Sequence, residues 1–169
     1  MSLTFVAGTA ADVFGPELAR AVEAALQRRF AATPHDDVYR SEEVNAAGWP
    51  LLQQLAASML GREAVPQLAT VEAYQAVYIP RDANVEHVAI ANAADPLQIG
   101  SLPRLLGELQ RFAASASLPT DTLELMQLAA HYLEDDAAFD RELDVQTYVQ
   151  LMLSAKEASA RGQALWVVV

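Results

Sequence analysis

Tyr74-Gln-Ala-Val-Tyr-Ile79-Pro80, then Val85-Glu-His-Val-Ala-Ile-Ala91, then Leu97-Gln-Ile-Gly-Ser101: these three runs decide the fold class of the chain. The first is rich in β-branched and aromatic side chains and stops at Pro80, which has no amide to give a sheet ladder. Residues 81–84 are polar and turn-like. The second run alternates, with Val85, His87, Ala89 and Ala91 on one face and Glu86, Val88 and Ile90 on the other. Two such runs joined by a short connection predict a β-hairpin over 74–91. Residues 97–99 predict a third short strand.

The helix that follows is the clearest in the chain. Ser101 is a good N-cap, and Pro103 sits in the first turn, where no intrahelical amide bond is lost. Leu102, Leu105, Leu106, Leu109, Phe112, Ala113 and Ala116 recur with the helical period over four turns. Arg104, Glu108, Gln110 and Arg111 fall mainly on the opposite side.

Working outward, residues 3–7 read as a strand, and Pro16 opens a helix with Leu18, Val22, Ala25, Leu26 and Phe30 on its apolar face. Residues 35–48 are polar and without a period, apart from a short edge strand at Val38 and Tyr39; loops of this kind often carry function. A helix over 50–60 ends at Gly61, with Trp49 as a staple or rim aromatic before it. Asp121 caps a helix whose Leu123, Leu125, Met126, Leu128 and Leu133 spread around its circumference, which predicts a helix sandwiched between layers. Asp144 caps another, which ends at Gly162. Residues 163–169 are apolar at both alternating sets, the pattern of a central strand covered on both faces. The expectation is one α+β domain over 1–169: a mixed sheet of about four to six strands with about five helices packed on it.

Composition closes several classes. The chain has 169 residues, 53% of them hydrophobic, enough for an ordinary core. No apolar run approaches the length of a membrane span, and Met1-Ser-Leu-Thr lacks the basic region of a secretion signal, so a cytoplasmic location is expected. With no cysteine there are no disulfides, no thiolate metal site and no cysteine nucleophile. The formal net charge is −11, which disfavours nucleic acid and anionic lipid and either favours a basic protein partner or serves solubility alone.

No local motif carries chemistry. The three histidines, His35, His87 and His131, show no metal-ligand spacing, and no phosphate loop or nucleophile elbow is present, so neither metal nor cofactor is expected. Asp140, Glu142 and Asp144 have the first spacings of a calcium loop, but Val145 stands where it needs glycine and Leu151 where it needs glutamate. The densest charged group is Glu134, Asp135, Asp136, Asp140, Glu142 and Asp144, a solvated acidic connection or a docking patch for a basic partner. Tyr74, Tyr78 and Trp166 could adjoin across the sheet.

Two functional readings follow. The first is a non-enzymatic interaction module of the immunity or inhibitor kind, binding a basic protein through Glu134, Asp135, Asp136, Asp140 and Glu142. A homodimer is compatible with it. The alternative is an enzyme or small-molecule-binding protein with a pocket near the 74–91 hairpin, its polar groups drawn from Tyr78, Arg81, Glu86 and His87.

Overall fold

The computed structural model describes residues 1–33, 35–134, 140 and 142–169. It is an α+β fold built on a mixed sheet. The strands are β1 (Ser2–Gly8), β2 (Tyr39–Arg40), β3 (Val44–Asn45), β4 (Ala76–Ile79), β5 (Glu86–Val88), β6 (Leu97–Ser101) and β7 (Ala164–Val168). The helices are α1 (Pro16–Leu26), α2 (Gly48–Leu60), α3 (Pro66–Thr70), α4 (Leu102–Ala116), α5 (Thr122–Leu133) and α6 (Leu143–Arg161). The sheet order is β2-β1-β7-β4-β6-β5, with β3 also paired to β1.

The apolar C-terminal run takes the central place its pattern requires. β7 lies antiparallel to β1 on one side and to β4 on the other. Leu165 and Val167 face a core shared with α2, α3, α4 and α6, while Ala164 and Trp166 face a smaller core closed by α1. The helices are therefore divided unevenly over the two faces of the sheet. Trp166 stands edge-on to Phe14, with ring centroids 5.5 Å apart.

The expected hairpin over 74–91 does not form. β6 lies between the two runs, parallel to β4 and antiparallel to β5. Burial explains the order: all five residues of β6 are buried, whereas Glu86 and His87 of β5 are exposed. A strand covered on both faces belongs inside a sheet, and one bearing charge belongs at its edge.

Other expectations change with the long-range packing. Trp49 is no rim aromatic; it is buried in the first turn of α2 and donates from Nε1 to the Val71 carbonyl at 2.9 Å. Helix α5 is covered on one side only: Leu125 is buried, but Leu123, Met126 and Leu133 are exposed. Helix α6 begins at Leu143, with Glu142 rather than Asp144 at its cap position. Tyr78 and Trp166 pack into opposite cores, and Tyr74 is exposed. The aromatic group read from the sequence does not assemble.

Candidate functional site

Adjacent parallel strands send their chains out of the sheet at the same end, which is where open α/β sheets place ligands. Here that end is formed by Ile79 of β4 and Ser101 of β6, a paired position in the ladder. After Ile79 the chain turns at Pro80, with the Arg81 amide bonded to the Ile79 carbonyl at 2.8 Å. After β6 it enters α4 directly, and Ser101 caps that helix by accepting from the Arg104 amide.

A buried polar knot holds the two exits together, with Gln67 of α3 at its centre. The Gln67 side-chain oxygen accepts from the Ser101 amide at 2.7 Å, and its side-chain nitrogen donates to the Ala83 carbonyl at 3.1 Å. Its backbone carbonyl accepts from the Tyr78 hydroxyl at 2.9 Å. Its backbone amide donates to one oxygen of Glu108 at 2.9 Å, while the Leu68 amide donates to the other at 2.8 Å. Glu108 thus serves as a side-chain cap for the start of α3, where free amides and the helix dipole favour a carboxylate. Gly100 completes the knot, because a Cβ there would lie 2.6 Å from the Tyr78 ring and 2.8 Å from the Gln67 side-chain oxygen.

These contacts set the electrostatics. Glu108 is not on the outer face of α4, where its period alone puts it; the residue is only 2% exposed. Burial pushes its carboxyl above the usual carboxylate range, against the pull of the two amides. Burial, then the nearby Glu108, raises the Tyr78 hydroxyl well above the ordinary tyrosine value. Both groups belong to the framework of the site.

A hollow of about 420 Å³ lies away from the knot, between α2 and the start of α6, lined by Leu51, Gln54, Leu55, Ser58 and Asp144. Beside the knot is a cavity of about 360 Å³, lined by Pro66, Gln67 and Thr70 of α3, Asn84 and Val85 of the loop, His87 of β5 and Arg104 of α4. This volume falls in the range that takes small molecules. A second hollow of about 190 Å³ adjoins the same loop, lined by Arg29, Ile79, Arg81, Asp82, Ala83, Asn84, Glu86 and Ile99. Asn84 lines both. An ion pair joins the two: Arg104 of the larger cavity binds Asp82 of the smaller through Nε at 2.5 Å and Nη2 at 3.2 Å. Beside that guanidinium the Asp82 carboxyl is held below the usual range.

Of the four residues singled out from the sequence, three border this pair of cavities. Arg81 and Glu86 line the smaller and His87 the larger. Tyr78 is fully buried, and its hydroxyl is occupied by Gln67. Arg81 does not pair with Asp82 as neighbours in sequence suggest; Asp82 goes to Arg104 instead. The sequence reading missed Gln67, Thr70, Asn84 and Arg104. Arg104 carried a signal, since a cation in the first turn opposes the helix dipole and calls for a nearby acid.

The acidic group is only partly gathered. Asp135 and Asp136 lie outside the described residues. Glu134, Asp140 and Glu142 are exposed; Asp140 accepts from Asn45 at 3.2 Å and Glu142 from the Tyr132 hydroxyl at 2.7 Å. Among the described residues no group of three or more histidines and carboxylates is arranged to hold a metal ion, and no helix is long and apolar enough to cross a membrane. No protein-family model, curated protein or solved structure matches the chain.

Proposed function

We propose that the chain is a small-molecule-binding protein whose ligand occupies the cavity at the carboxyl ends of β4 and β6. The observation that supports this reading is the meeting of Arg104, His87, Asn84 and Thr70 on one concave surface of about 360 Å³ beside a hydrogen-bonded wall. A few polar groups on a rigid frame are what orient a ligand. Binding is favoured over catalysis by the geometry of β5. Glu86 and His87 are consecutive in a strand and line different cavities, so the acid and the imidazole do not act on one substrate atom.

A screen of small molecules by thermal shift tests the proposal, run on the wild type and on two cavity variants. Val85→Trp fills the cavity and Asn84→Ala removes a polar contact with little change of packing. Compounds that stabilise the wild type are expected to lose their effect in Val85→Trp and to weaken in Asn84→Ala. Equal shifts in all three proteins would contradict the reading.

A second reading rests on the net charge of −11 and the exposure of Glu134, Asp140 and Glu142. It is an interaction module that docks a basic protein on that side. Capture at low salt with elution by rising salt tests it, because screened surface charges release a partner as ionic strength increases. Loss of capture in a variant with Glu134, Asp140 and Glu142 all changed to Gln or Asn would locate the surface.

A further inference from the structure

The ligand's chemistry can be argued from the charges around the loop, on the footing that the cavity is the binding site. The chain carries only eleven lysines and arginines against twenty-two carboxylates, yet Arg29, Arg81 and Arg104 all border the two cavities. Two acids pair with them. Arg29 pairs with Glu86 at 2.6 Å, and Arg104 pairs with Asp82. Arg81 is exposed and makes no ion pair among the described residues. Three guanidiniums and two carboxylates thus line the cavities, with the buried Glu108 also within electrostatic reach of Arg104, so cations gather here in a strongly negative protein.

Asp82 holds Arg104 by two of its nitrogens, the two-point fork by which a guanidinium receives any carboxylate or phosphate. The third nitrogen donates to the Asn84 side-chain oxygen at 2.7 Å, which fixes the fork in place. The pair is open to water, with 72% of the Asp82 side chain and 41% of the Arg104 side chain exposed. An exposed pair of this kind holds together weakly, so an incoming anion can displace it. Arg104 also stands in the first turn of α4, so an anion in that seat lies beside the positive end of the helix.

We infer that the ligand is a small anion whose carboxylate or phosphate group takes the seat of Asp82 on Arg104, with Arg81 drawing it in. Asp82 is then an internal competitor that closes the seat and ties down the 81–84 loop when the ligand is absent.

The test follows the arginine Nε–H and backbone amide signals by proton–nitrogen NMR at constant ionic strength. Inorganic phosphate and succinate are added in separate titrations to the wild type, Asp82→Asn and Arg104→Gln. Saturable shifts of the Arg104 Nε–H and of the 81–85 amides are expected in the wild type. Asp82→Asn should tighten binding roughly three- to fivefold by removing the competitor, and Arg104→Gln should abolish it. A response to phosphate alone points to a phosphorylated ligand, and one to succinate alone to a carboxylic acid. Absence of saturable shifts in both the wild type and Asp82→Asn, or equal affinity in the two, would overturn the inference. Neutral compounds that bind the wild type but not Val85→Trp, together with no anion response, would overturn it while leaving the cavity reading in place.

Discussion

The two ends of the sheet are stabilised in different ways. Around β1, β7 and the near side of β4 the buried strand residues are apolar, and burial itself supplies the driving force. The buried polar residues on that side belong to α6 and the flanking loops, and Thr147 Oγ1 and Gln163 Oε1 find no hydrogen-bond partner there among the described residues. Around β6 and the start of α4 the chain buries Gln67, Gln98, Ser101 and Glu108, none more than 5% exposed, and gives each a partner. Apolar packing is tolerant of exchange, whereas a buried hydrogen-bonded set demands particular atoms in particular places. The polar end is therefore the one with a defined, rigid wall, and the cavity lies against it.

The sharpest contrast comes from removing the apolar end. Deleting residues 165–169 takes away the strand that joins β1 to β4, and soluble folding should be lost altogether. A truncated protein with a dispersed NMR spectrum would contradict the central place of β7 in the sheet. Next in size is Gly100→Ala. The added Cβ meets the Tyr78 ring at 2.6 Å, and the variant should lose about 1–3 kcal/mol in urea unfolding. Gly107→Ala is its control in α4, the helix that follows β6, for no atom lies within 4 Å of a Cβ there; it should gain up to about 1 kcal/mol.

Glu108→Gln probes the polar end through its charge. Both Glu108 oxygens accept amides, and the glutamine NH₂ would face one of those donors, so a loss of about 1–3 kcal/mol is expected. Its pH dependence follows from the raised proton affinity in the fold. The stabilisation gained by protonating Glu108 is fully present below the unfolded value of about 4.3 and is lost as pH rises through the higher folded value. The wild type should therefore gain stability over Glu108→Gln as the pH is lowered from neutral towards about 4.3, measured by urea unfolding across that range. A gap that narrows on acidification would contradict the assignment. Tyr78→Phe, which leaves only the Gln67 carbonyl short of a donor, is the smallest of these changes at about 1 kcal/mol.

Periodicity made some elements at both ends far more legible than others. The α4 helix, its Ser101 cap and the central place of β7 follow from apolar spacing and from the chemistry of one cap, all of it local. The neighbour of a strand is not local. Alternation in 85–91 announces a strand without saying that β6 will enter between it and β4. Glu108 reads as outward because its partners are amides 41 and 40 residues away. Arg81, Glu86 and His87 are visible as reactive types near a turn, but the division of Glu86 and His87 between two cavities depends on which side of β5 each faces. Gln67 and Asn84 have no periodic signature at all, since their roles come from bonds made across the fold.

The most direct measurement is backbone amide shift mapping with the compound that most stabilises the wild-type protein. The account predicts perturbations concentrated at residues 66–70, 83–87 and 100–104, around the knot and the cavity. Perturbations gathered instead on the outer side of α2, on the exposed side of α5, or at residues 134, 140 and 142 would contradict it.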